Sequence, residues 1–299
     1  MRLKKGSRAA GSRLLSGVPC ALLATLAMAL LAACEQPTQG PPSNIITVHP
    51  QPPRPPTGEW TATPERDYGD FRIAQVTRMH GAEVVSKGHI YIFAYRGDGA
   101  HVEIPPYIDG FPVVAVGQFF TNHTYGLRDS GIERVTLPHN LWMVGAVAFA
   151  LNRLTEICIP ETVEIIGFYA FASNQLREVV IPGGVRTMII GAFAYNHIYR
   201  LDIRDGIGFI PARAFYGNKL ERVALPDSIR EIHTDAFAGN PLAEITIGEG
   251  VELGSIREPD SPAFPSGFDD FYRENGKRAG TYTFNGETWV FDERLPGGS

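Results

Sequence analysis

At 299 residues the chain has room for one or two ordinary domains, and its formal net charge of −5 gives no electrostatic case for nucleic acid. It has three cysteines, Cys20, Cys34 and Cys158. Once the N-terminus is processed as argued below, Cys158 is expected to be the one free thiol. An intrachain disulfide is then excluded and stability has to come from a packed core.

The chain opens with a basic lead, Arg2, Lys4, Lys5, Arg8 and Arg13, followed by an apolar run from Val18 to Ala33 broken only by Pro19 and Thr25. That run is short for a membrane-spanning helix and suits the apolar core of an export signal. It ends Leu31-Ala32-Ala33-Cys34, which resembles the lipobox of bacterial lipoproteins. The resemblance implies removal of 1–33 and a lipid on Cys34. The chain is then expected to be exported and lipid-anchored at the outer-membrane cell surface; an ordinary secretory signal is the alternative. Residues 34–64 carry Pro37, Pro41, Pro42, Pro50, Pro52, Pro53, Pro55, Pro56 and Pro64. So much proline favours an extended spacer, which at roughly 3 Å per residue reaches up to about 90 Å from a membrane.

Residues 65–131 read as an N-terminal β cap and an irregular first repeat. Phe71–Met79 and Lys87–Tyr95 are rich in β-branched and aromatic residues and predict strands. Val102, Ile104 and Pro105, a turn at Asp109-Gly110, and then Phe119-Phe120 read as a stretched repeat ending in its aromatic.

From 132 to 264 one unit recurs. Ile132, Leu154, Leu176, Ile198 and Leu220 open successive segments, each 154 − 132 = 22 residues apart. Such a period marks a solenoid whose coils bury their apolar edges against each other. Coil positions four and six, such as Val179 and Ile181, should alternate inward on strands forming one parallel sheet, ended by Pro138, Pro160, Pro182 and Pro226. A pair such as Val163 and Ile166 suggests a second short extended or single-turn segment. Phe149, Phe171, Phe193, Phe215 and Phe237 should stack internally. Asn152, Asn174, Asn196, Asn218 and Asn240 suit a recurring turn, since asparagine tolerates left-handed backbone and bonds nearby main chain. In the fourth coil Arg204 replaces the proline, so a longer strand is expected there.

Residues 265–299 predict a closing β-hairpin. Asn285-Gly286 favours a two-residue turn, which would set Tyr282 opposite Trp289.

The unit I-P, then I, then A-F and N resembles the BspA-like (treponemal-type) leucine-rich repeats. The lead-in Ile104-Pro105 to Val113 resembles that family's first repeat, and Asn275-Gly276-Lys277-Arg278-Ala279-Gly280-Thr281-Tyr282 to Trp289 its tail. The resemblance covers about Phe71 to Phe291. It implies a right-handed leucine-rich-repeat superhelix with one parallel sheet, mostly β with short helical turns and β-rich caps at both ends. It also implies a bacterial surface protein, with adhesion to host matrix or other cells among its relatives, and supplies no catalytic residue.

The residues themselves point the same way. There is no HExxH, CxxC, P-loop or GxSxG, and the eight histidines form no column. The chain is therefore expected to be non-catalytic, without cofactor or metal. Binding is expected on the outward strand positions. Coil position three carries Arg134, Glu156, Glu178, Arg200, Arg222 and Glu244, with Asp202 at position five and Tyr199 and Trp142 as aromatic additions. Glu156 and Glu178 are like-charged neighbours, as are Arg200 and Arg222. The face reads either as a soluble ladder or as a surface awaiting a protein ligand, on host matrix or on another cell. The alternative function is a periplasm-facing structural or scaffold lipoprotein.

Overall fold

The computed structural model describes residues 60–62, 65–79, 88–117, 127–254 and 262–293, all within one compact unit, Thr47–Ser299. The export signal, Cys34, the spacer to residue 59, and Phe119-Phe120 lie outside the described residues.

The N-terminal cap is antiparallel. Strands β1 (Trp60–Ala62) and β2 (Arg66–Tyr68) pair with β3 (Phe71–Met79), which pairs with β4 (His89–Tyr95). β1 falls in the stretch expected to be spacer. The solenoid starts with β5 (His101–Glu103), a small hairpin of β6 (Tyr107–Ile108) and β7 (Phe111–Val116), and β8 (Arg134–Thr136).

Each regular coil has three sides. On the first, short strands stack in parallel at coil positions three to six: β5 with β8, β11 (Glu178–Ile181) with β13 (Arg200–Ile203), and β15 (Arg222–Ala224) with β17 (Glu244–Ile247). On the second are two-residue strands. β9 (Met143–Val144), β10 (Ile165–Ile166) and β12 (Thr187–Met188) continue the cap sheet through β7. β14 (Phe209–Ile210), β16 (Glu231–Ile232) and β18 (Glu252–Leu253) form a separate ladder. The single sheet expected from sequence is thus two columns of ladders, each interrupted. The reason is length: a 22-residue coil must close on itself, so no side holds more than a few paired residues, and proline removes a donor after most first-side strands. The second extended segment, left open between strand and turn, is strand.

The third side is a tight turn carrying the Ala-Phe pair, and its backbone also bonds from coil to coil. The Phe149 amide donates to the Ala170 carbonyl at 2.8 Å, Phe171 to Ala192 at 2.8 Å, and Phe193 to Ala214 at 2.9 Å. The core is what the periodicity implies. Val179 and Ile181 point inward with their equivalents, Leu201 alone being half-buried. Phe149, Phe171, Phe193, Phe215, Phe237 and Phe264 are fully buried and stack ring on ring.

The asparagine ladder differs from expectation in a useful way. The left-handed residue is the one before each asparagine, as at Leu151, Ser173, Tyr195 and Gly217. The asparagine itself is buried and staples two coils. Asn196 Oδ1 accepts the Leu176 amide at 3.1 Å, while Nδ2 donates to the carbonyls of Phe171 at 3.0 Å and Phe193 at 3.1 Å. One side chain therefore satisfies polar groups of two coils that the turn leaves unpaired.

Two irregular coils depart from the reading. In the first, Leu127 takes the phenylalanine's place, fully buried and donating to the Ala148 carbonyl as Phe149 does to Ala170. In the fourth, β13 is no longer than β11; instead the Arg204 amide, present where other coils have proline, donates to the Ile181 carbonyl at 3.1 Å.

The C-terminal cap adds a helix that was not expected, α1 (Phe268–Glu274), before the hairpin of β19 (Gly280–Phe284) and β20 (Trp289–Glu293). β19 pairs antiparallel with β17 and closes the array. The hairpin register is not the expected one: Phe284 faces Trp289 and Tyr282 faces Phe291. Asn285 Oδ1 accepts the amides of Glu287 and Thr288 at 3.0 and 2.9 Å, so the turn needs four residues rather than two. Tyr282 and Trp289 still share the buried face and both meet Phe268 edge-on.

Candidate functional site

The first side presents alternate residues outward, because successive strand residues face opposite ways. Parallel register sets Glu178 beside Arg200, and Arg222 beside Glu244. Pairing of β5 with β8 extends the column to His101, beside Arg134, and to Glu103, which the irregular spacing of the first coil hides in the sequence. Arg134 Nε lies 3.2 Å from Glu156 Oε1, with both side chains at least half exposed. Tyr199, 50% exposed, reaches back one coil and donates its hydroxyl to Glu178 Oε1 at 2.9 Å. That bond, with partial burial and the Glu178 charge, holds the Tyr199 phenol above its ordinary pKa, so it remains a donor. Arg177 and Arg200 lie near enough to act electrostatically on the same phenol.

The structure therefore brings Arg134, Glu156, Glu178, Arg200, Arg222, Asp202 and Tyr199 onto one face. Glu244 ends this column beside Arg222, half exposed as Glu178 is, where β19 pairs along its strand and neighbouring Thr246 is buried against Thr281. Trp142 is buried on the second side with Tyr91, Val114 and Ala115, away from this face. Cys158 is outward and exposed on the first side and is not the free thiol expected.

Sequence reasoning missed a second surface. On the third side and the turn after it, Leu151, Phe168, Ile189, Ile190 and Tyr195 are each about 39–54% exposed. The Tyr169 ring lies over Gly191, where any Cβ would run into it. Arg213 Nε is 3.2 Å from Asp235 Oδ2, and Asp235 with nearby Tyr169 raises the guanidinium pKa further. Tyr195 and Tyr216 meet edge-on at 5.3 Å. The signal was present in the repeat: Ile189-Ile190 stands where the coil of Gly145-Ala146 has small residues.

Among the described residues no group of His, Cys, Asp or Glu is placed to hold a metal ion. What both surfaces offer is hydrogen bonding, charge and apolar contact spread along the array.

Compared with known proteins, residues 143–256 match the BspA type leucine rich repeat region in 6 copies. No curated protein matches the chain. Among solved structures it is similar to the pneumococcal vaccine antigen PcpA, at 17% identity over 63% of this chain and 51% of that one, TM-score 0.49. A leucine-rich repeat protein from Bacteroides ovatus is 20% identical over 66% and 54%, TM-score 0.46. The T. pallidum leucine rich repeat protein is 21% identical over 75% and 96%, TM-score 0.40. The chain spans about half the length of the first two. The stretch that carries most of the 22-residue coils, the phenylalanine column and the asparagine ladder is thus the part of this solenoid that is similar to the BspA type leucine rich repeat region.

Proposed function

We propose that the solenoid binds a protein partner along its first side, and that the chain is an exported lipoprotein, anchored through Cys34, which adheres to host matrix or to other cells at the outer-membrane surface. The observation that supports this most is the exposed column in which Arg200 and Arg222, on the neighbouring strands β13 and β15, make no ion pair among the described residues. Neighbouring like charges cost free energy in the isolated chain and gain from a complementary partner.

Three measurements test it in order. Labelled fatty acid should be incorporated by the wild-type chain and not by Cys34→Ala. Protease added to intact cells should remove the solenoid; protection until lysis would instead identify a periplasm-facing scaffold. The full-length protein should bind a matrix protein or a cell surface saturably, and lose that binding in Arg200→Glu/Arg222→Glu. Absence of any saturable partner would end the adhesion reading.

A further inference from the structure

Several charged side chains here have partners: Arg134 with Glu156, Arg204 with Glu161, Arg213 with Asp235, Arg273 with Asp270, and Lys277 with Glu252. The exposed cations that make neither an ion pair nor a side-chain hydrogen bond among the described residues are Arg153, Arg177, Arg186, Arg200, Lys219 and Arg222. All but Arg186 fall in one band, where the third side passes into the first.

Backbone bonds join the coils that carry them. The Arg153 amide donates to Ile132 at 2.8 Å and that of Lys219 to Ile198 at 2.9 Å, while the amides of Tyr199 and Arg200 share the Arg177 carbonyl at 3.0 and 3.4 Å. Tyr195 and Tyr199 stand in the same band, more than half of Tyr195 and half of Tyr199 being open to solvent. The acids here are partly answered: Arg134 engages Glu156 and the Tyr199 hydroxyl engages Glu178. The result is a strip in which unpaired arginines and exposed tyrosines are interleaved with acids, on a chain whose net charge is −5.

We propose that this strip is the docking site for an acidic segment of the protein partner, its carboxylates held by Arg177, Arg200 and Arg222 and its aliphatic side chains resting on Tyr195 and Tyr199. Arginine forks match carboxylates, and tyrosine supplies apolar area with few torsions to order. The interleaved acids decide between anionic partners. A sulfated glycan or an anionic bilayer presents charge continuously and meets Glu156, Glu178, Asp202 and Glu221 along with the cations. A peptide places carboxylates at chosen side chains and neutral residues between them, so it can match the pattern. This inference rests on the protein-binding reading and adds the chemistry of the partner.

The test uses the full chain and a short fluorescent peptide of glutamate and leucine, with a lysine-for-glutamate peptide, a heparin oligosaccharide and phosphatidylglycerol vesicles as comparisons. The acidic peptide should bind saturably and weaken as salt rises. Arg177→Glu/Arg200→Glu/Arg222→Glu should weaken it at least about tenfold, with an unchanged melting curve, and Arg186→Glu should leave it as it was. No binding, equal binding of the lysine peptide, or equal loss in Arg186→Glu overturns the proposal. So does tighter binding of heparin or vesicles that is lost in the triple variant. If cells or matrix bind the chain while the acidic peptide does not, the protein-binding reading stands and the acidic partner falls.

Discussion

From Phe149 to Phe264 successive rings lie 4.9–5.7 Å apart and within 6–18° of parallel. Around Phe268, in the C-terminal cap, Phe264, Tyr282 and Trp289 meet the ring at 69–88°. In the column the angle follows from translation: the same residue, in the same local backbone, repeats one coil further on, so its ring can only be offset and parallel. That arrangement buries each face but leaves the final face open. The cap closes it by breaking the repeat, with α1 bringing Phe268 edge-on to Phe264 and the hairpin bringing two more edges to Phe268. Both geometries are favourable for aromatic rings, but only the second can end an array.

The contrast can be tested by removing parts of each region. Phe193→Ala should cost about 3–5 kcal/mol in a denaturant melt, since the flanking rings cannot collapse into the space without bending the coils. A change under about 1 kcal/mol would show that the column does not hold the array. Asn196→Ala should cost less, about 1–3 kcal/mol, by leaving a buried amide and two carbonyls short of partners. Asn275→Ala in the cap should cost less than Asn196→Ala by the same melt, because its side chain makes one bond, to Phe271, and is half exposed; equal losses would mean the ladder is no more than a set of local turns. Arg134→Ala should change stability by under about 1 kcal/mol, because its pair with Glu156 is exposed.

The smallest effect concerns the N-terminal cap. Burial lowers the His89 pKa below 6.5. Below that value the unfolded chain takes up a proton that the folded chain resists, so this contribution to stability is full at higher pH and is lost as pH falls through the window beneath 6.5. Amide exchange in β3 and β4 should therefore quicken, relative to the central coils, between neutral and mildly acidic pH, and His89→Gln should remove the difference.

Legibility divided along the same line. Phe193, Asn196 and Ile181 were readable because each is one of a series, and only a stacked coil explains residue types recurring at one spacing. Leu127 was not, because it keeps the 22-residue spacing to Phe149 but not the residue type of the column it completes, and Phe119-Phe120 offered aromatics nearby. The hairpin register failed for a related reason: Asn285-Gly286 fits two turn lengths, and burial of Tyr282 and Trp289 against Phe268 selected the longer. The charged column was legible as a list of outward residues, but burial of Trp142 on the second side was not.

By itself the sequence determined the coil length, the inward and outward positions, the phenylalanine spine and the family resemblance, because periodicity is a local code that each repeat restates. Only the tertiary structure decided that each coil carries two strand columns, that asparagine joins coils, and which cations pair. Those depend on distances between residues twenty or more apart in the chain, set by how neighbouring coils settle on one another.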